Sequence, residues 1–166
     1  MSNSASPPAA ARLTDEHRRL HRLVGEWIGE EMIYPSPPDR GGRASSRASV
    51  RAELDGRFVV SDYVEEREGA PPYRGHGVYG WDAGARTYTM HWFDSMGSFP
   101  VSVARGSWRD DGAELAFEHR THTGYARYVY RFTGSDVYLF RIESSRDGHD
   151  WRPFMEGKYR RVAAPG

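Results

Sequence analysis

The chain has no cysteine. Disulfides, thiolate catalysis and cysteine-ligated metal are therefore excluded. It also lacks net charge, since 23 Lys and Arg balance 23 Asp and Glu. Without a field to steer association, neither nucleic acid nor a membrane is an expected partner. Long apolar runs are absent. The opening residues, MSNSASPPAAAR, carry no apolar core and little positive charge. They read as neither signal peptide nor membrane span, which predicts a cytoplasmic protein. Their Pro, Ala and Ser predict a disordered tail over residues 1–12, followed by one domain over 13–163. Helix is scarce as well. One is predicted, with Thr14 as N-cap, Asp15 and Glu16 in its first turn, Leu20, Leu23 and Val24 as its apolar stripe, and Gly25 ending it. Such a helix suits the end of a barrel. No Gly-rich phosphate loop, serine-centred elbow or dinucleotide fingerprint occurs. Gly75-His76-Gly77 lies within a strand with no helix after it.

What the chain has in quantity is strands. Segments rich in Tyr, Trp, Phe and Val, cut by Gly- or Asp-containing turns, fall at roughly 26–34, 45–54, 57–67, 73–81, 86–94, 99–108, 114–122, 125–133, 136–145 and 150–161. The stretch PSPPDRGG, from Pro35 to Gly42, is a loop. The pattern predicts an all-β, about ten-stranded antiparallel up-and-down barrel with one short N-terminal helix and an interior pocket.

Alternate residues of a strand face opposite sides, so the more apolar set is taken as inward. That gives Val50, Ala52 and Leu54; Phe58, Val60, Asp62 and Val64; Gly75, Gly77, Tyr79 and Trp81; Tyr88, Met90, Trp92 and Asp94; Phe99, Val101, Val103 and Arg105. Next come Leu115, Phe117 and His119; Ala126, Tyr128, Tyr130 and Phe132; Tyr138, Phe140 and Ile142; Trp151, Pro153, Met155 and Tyr159. Short loops test these choices, because paired residues share a face. A four-residue loop Asp82–Ala85 pairs Tyr79 with Tyr88. A two-residue loop Thr123–Gly124 pairs His119 with Tyr128. A three-residue loop Asp110–Gly112 sets Arg105 opposite Phe117.

Several stretches are similar to a known family. HRRLHRLVGEW from His17, LDGRFVVSDY from Leu54, RGHGVYGWD from Arg74, HWFDSMGS from His91 and FMEGKYRR from Phe154 resemble a bacterial family of uncharacterised lipocalin-like proteins, domain-of-unknown-function family 1579. The resemblance spans about Glu16 to Arg161. It implies a calycin-type barrel with a small-molecule pocket and no established activity, so no catalytic residue carries over. More loosely, Gly25-Glu26-Trp27-Ile28-Gly29 resembles the nitrobindins, which hold haem in a similar barrel; that motif is not itself a haem ligand.

Four ionisable side chains fall in the inward sets: Asp62, Asp94, Arg105 and His119. Arg105 fits a carboxylate, enolate or phenolate ligand; alternatively it pairs with Asp62 or Asp94, or lies at the rim. His119 is the best general acid or base, with Tyr128 as a hydrogen-bond partner; otherwise it is a satisfied histidine in an aromatic wall. Asp94 is the second catalytic candidate, or else it caps the turn from Ser95 to Ser98. Asp62, Tyr79, Tyr88, Trp92, Arg105, Phe117, Tyr128 and Tyr130 are the candidate ligand-binding residues. Gly75 and Gly77 either open space on one wall or mark a bend. No metal or cofactor is assigned. His17 and His21 have Arg18 where a zinc protease needs Glu, His119 and His122 face opposite ways, and His76 and His91 pair across a hairpin but point outward.

The function these residues favour is binding of a small, largely apolar or aromatic, and by Arg105 anionic, molecule by a monomer or weak homodimer. The alternatives are a cofactor-free isomerase, cyclase or lyase using His119 and Arg105, and a haem or metal binder.

Overall fold

Along most strands buried residues alternate with exposed ones, and the connections contain no helix, so each strand pairs antiparallel with the next. The structure, a computed structural model, describes residues 12–162. The tail predicted over residues 1–12 lies, apart from Arg12, outside them. A helix α1 (Asp15–Leu20) and a 3-10 turn (His21–Leu23) precede β1 (Gly25–Ile33), β2 (Gly42–Glu53), β3 (Phe58–Glu66), β4 (Tyr73–Asp82), β5 (Thr87–Asp94), β6 (Ala104–Arg109), β7 (Glu114–Thr121), β8 (Gly124–Phe132), β9 (Val137–Ser145) and β10 (Arg152–Arg161). The strands close into one barrel, with β1 completing the ring against β10. No helix among the described residues is long and apolar enough to cross a membrane.

The helix seals one end. The Thr14 N–H donates to His17 Nδ1 at 3.2 Å, and Asp15 and Glu16 sit at the positive helix start. Leu20 and Leu23 are buried, Trp27 Nε1 donates to the Leu23 carbonyl at 2.8 Å, and the Tyr88 hydroxyl donates to the Glu16 carbonyl at 3.1 Å. The Arg22 guanidinium lies 4.7 Å from the centre of the Trp108 ring and 4.5 Å from that of Phe132. Beneath the helix, Leu115, Phe117 and Phe132 fill the barrel. Open space is left to the opposite end.

The predicted inward sets hold on β4, β5, β7, β8 and β9. Two hairpins differ from the expected register by two residues, which preserves the face: Tyr79 pairs with Met90, and Phe117 with Tyr128. The β6–β7 hairpin differs by one, which reverses it. Its loop has four residues, Asp110 to Ala113, with Asp110, Asp111 and Gly112 at positive φ, so Arg105 lies opposite Glu118 instead of Phe117. Arg105 therefore points outward and meets Asp82 at 3.0 Å. Phe99 and Val101, expected inward, are exposed in the loop before β6, and Ala104 is buried instead.

Strand β3 is also reversed. Its inner face carries Val59, Ser61, Tyr63 and Glu65. Asp62 faces solvent and binds Arg51 at 2.6 Å and His76 at 2.7 Å. Phe58 covers the outer side of Gly80, where an added Cβ would lie 2.9 Å from the phenyl ring. Ala52 and Leu54 are exposed at the end of β2, and a bulge between Pro153 and Met155 leaves Pro153 outside.

One junction is thin. β5 and β6 share three residue pairs, Tyr88–Gly106, Thr89–Arg105 and Met90–Ala104, whereas β4 and β5 share eight.

Candidate ligand cavity

At the open end the inner faces surround a cavity of about 690 Å³. Tyr79 and Tyr130 form its floor, their hydroxyls 2.7 Å apart. Burial raises both phenols, Tyr79 to about 12, so they serve as neutral hydrogen-bonding groups. Val50, Met90, Trp92, Tyr128, Tyr138, Phe140, Ile142 and Met155 make up much of the wall.

Trp92 is held by what its neighbours lack. A Cβ built on Gly75 would lie 1.9 Å from Trp92 Cζ2, and one on Gly77 2.9 Å from Cε3. The indole therefore fills the space those glycines leave. Its Nε1–H donates to the Tyr73 hydroxyl at 2.9 Å, and Tyr73 donates to Asp94 Oδ2 at 3.2 Å. Asp94 lines the cavity and also caps the turn after β5, accepting the Met96 N–H at 2.9 Å.

His119 and Tyr128 stack with ring centres 5.6 Å apart, and His119 Nε2 meets the Tyr128 hydroxyl at 3.2 Å. Burial lowers the His119 pKa, which favours neutral imidazole at neutral pH, and raises that of Tyr128 to about 12. Both border a side recess of about 170 Å³ under Phe99, Val101 and Ser102. The His119 Nδ1 is buried, with the Ser102 backbone beside the ring.

Tyr79, Trp92, Asp94, Tyr128 and Tyr130 thus share one cavity, with His119 alongside. The other candidates do not join them. Arg105 and Asp62 lie outside the barrel for the register reasons above. Tyr88 and Phe117 belong to the packed end, Tyr88 beneath α1 and Phe117 fully buried. The His76–His91 pairing is also corrected: His76 pairs with Phe93, and His91 with Val78. Among the described residues, no three His, Asp or Glu side chains are grouped to hold a metal.

Sequence reasoning missed a second polar group. Glu31 is 4% exposed, on the inner face of β1. It accepts from Ser46 Oγ at 2.8 Å, from the Tyr63 hydroxyl at 2.8 and 3.0 Å, and from the Tyr159 hydroxyl. Tyr63 also meets Glu65 Oε2 at 3.2 Å. Burial and the Glu31 charge raise the Glu65 carboxyl above its usual range. Glycines again make room: a Cβ on Gly29 would lie 2.4 Å from Ser46 Oγ and 2.6 Å from the Tyr159 ring, and one on Gly157 3.0 Å from Glu31 Cγ. The alternation Trp27, Gly29, Glu31, Ile33 was the available signal, a carboxylate on an otherwise apolar face.

Over residues 12–161 the sequence matches the family described as Protein of unknown function (DUF1579). The chain belongs to this family. Two solved structures share the barrel of this DUF1579 chain. The S-type phycobiliprotein lyase CPES from Guillardia theta is 12% identical, with a TM-score of 0.66 over 93% of this chain and 96% of that one. Rv2717c from M. tuberculosis is 14% identical, with a TM-score of 0.69 over 92% and 100%. At such identities the likeness establishes the fold alone. No curated protein matches the sequence significantly.

Proposed function

We propose that this DUF1579 barrel binds a small, largely apolar molecule with an aromatic or polycyclic body. The observation that carries this reading is the cavity itself. Its volume of about 690 Å³ falls in the range of ligand sites, roughly 300–1,000 Å³. Its walls are mostly aromatic and aliphatic, with a few polar groups to orient a guest. Tyr79, Trp92, Tyr128 and Tyr130 supply the aromatic surface. That a barrel of this fold is a phycobiliprotein lyase agrees with a role in handling small molecules. A proton-transfer enzyme would use His119 and Tyr128, but its expected anion stabiliser, Arg105, lies outside on Asp82, so binding is favoured.

The test is titration with a neutral hydrophobic fluorophore, N-phenyl-1-naphthylamine. Saturable fluorescence enhancement at one site is expected. Ala126→Trp places an indole in the cavity from the inner face of β8 and should weaken binding at least about tenfold, the effect of a lost apolar contact or a steric clash. A wild-type protein that does not bind, or an Ala126→Trp protein that folds and binds equally well, would refute the cavity as the site.

A further inference from the structure

The charges around the cavity oppose the anionic ligand that the sequence suggested. Arg67 is the one cation lining the cavity among the described residues. It is already committed: Nη1 and Nη2 bind the two Asp39 oxygens at 2.9 and 2.8 Å. Glu143 is likewise matched, by Arg127 and Arg141. His119 beside the recess is held toward its neutral form. The Arg67 charge also reaches Glu65, but its N–H fork is filled by Asp39, so among the described residues Glu65, Asp94 and, behind Tyr63 and Tyr159, Glu31 have no direct ion pair. Asp94 is bonded by Tyr73 and the Met96 N–H, with no cationic partner among the described residues.

Tyr63 has one hydroxyl hydrogen to donate, and its oxygen lies closer to Glu31, at 2.8 Å, than to Glu65, at 3.2 Å. Donation to Glu31 leaves Glu65 with acceptor capacity at the cavity wall. Two carboxylates share a partly desolvated region and hydroxyl donors that carry no charge. Aromatic faces nearby attract cations through their quadrupoles. A guest bringing a protonated nitrogen would supply both the missing charge and the missing N–H donors.

We propose that the cavity selects hydrophobic cations: an aromatic or alicyclic body lies among Tyr79, Trp92, Tyr130 and Phe140, and a protonated amine is held by Glu65 with the Glu31–Tyr63–Tyr159 group behind it. The inference rests on the cavity being the binding site and names the class of ligand it takes. A carboxylate or sulfonate of the same shape would meet acidic groups that have no direct ion pair, and be disfavoured.

Three probes of one shape separate the possibilities by calorimetry: biphenyl-4-ylmethylammonium, biphenyl-4-methanol and biphenyl-4-carboxylate. The ammonium should bind at least about tenfold more tightly than the alcohol, the effect of one charged hydrogen bond, and the carboxylate more weakly than both. Glu65→Gln should collapse the ammonium-to-alcohol ratio. Glu66→Gln, on the exposed face of the same strand, should leave that ratio unchanged. Glu31→Gln should also lower it, and because Glu31 is buried, Glu65→Gln keeps the test open if that variant does not fold. Equal binding of ammonium and alcohol, preference for the carboxylate, or a ratio unmoved by Glu65→Gln overturns charge selection while leaving the cavity in place. Failure of all three probes overturns the cavity reading and this inference with it.

Discussion

Gly75→Ala tests how Trp92 is held. In a strand, alanine normally gains about 0.4–1 kcal/mol over glycine by narrowing the unfolded ensemble, and Gly75 is not among the residues at positive φ. Here the new Cβ would sit 1.9 Å from Trp92 Cζ2 and 2.6 Å from both Cε2 and Cη2. The indole must retreat by more than an ångström, into the cavity. Overpacking of that kind costs about 1–3 kcal/mol, and loss of the Trp92–Tyr73 hydrogen bond about 1 kcal/mol more. The net expectation is a loss of about 1–3 kcal/mol, measured by urea unfolding. The decisive step is a double-mutant cycle with Trp92→Leu, whose shorter side chain does not reach over Gly75. In that background Gly75→Ala should be neutral or stabilising, giving a coupling of about 1–3 kcal/mol. Equal destabilisation in both backgrounds would show that Gly75 is required by its own backbone, and the account of the indole would fail.

Gly106→Ala should destabilise more stubbornly, because its Cβ would lie 1.8 Å from the Ala116 carbonyl oxygen; no side-chain truncation should rescue it in thermal melts. Arg105→Met should leave binding of every cavity probe unchanged and the thermal midpoint little moved, since its pair with Asp82 is solvent-exposed; weakened binding would return Arg105 to the interior. Glu65→Gln should change stability with a definite sign against pH. The folded-state pKa of Glu65 is raised, so its protonated form favours the fold, and that contribution is lost as pH rises through the folded value. The variant should therefore gain Tm relative to wild type at pH 8 and little at pH 4; a gain confined to pH 4 would contradict the desolvation argument.

Most of the barrel was legible because turns and alternation agree over β4, β5, β7, β8 and β9. The failures have physical causes. Loop length sets strand phase: one extra residue between Arg109 and Glu114 turned Arg105 from the inner face to the outer. On β3 the rule that apolar residues face inward runs backwards. Ser61, Tyr63 and Glu65 line the interior, while Phe58 and Val60 cover the outside. Hydrophobicity misreads a strand wherever the cavity needs polar groups, so the candidate site was hidden where its chemistry is concentrated. Trp92, Asp94, Tyr128 and His119 were legible because their strands carry otherwise apolar inner faces.

The three-pair junction between β5 and β6 gives the ring the mechanics of a split washer. With three pairs to hold it, the slit is the seam expected to yield first under strain. Trp92 stands beside that slit with Tyr128 and His119 across it, whereas Glu31 and Glu65 sit on the firmly laced side formed by β1, β2 and β3. By its pairing, the wall that would read charge is expected to be the stiffer, and the wall that would read shape the one to yield. Guests of one charge and varied outline are what such a vessel would accommodate.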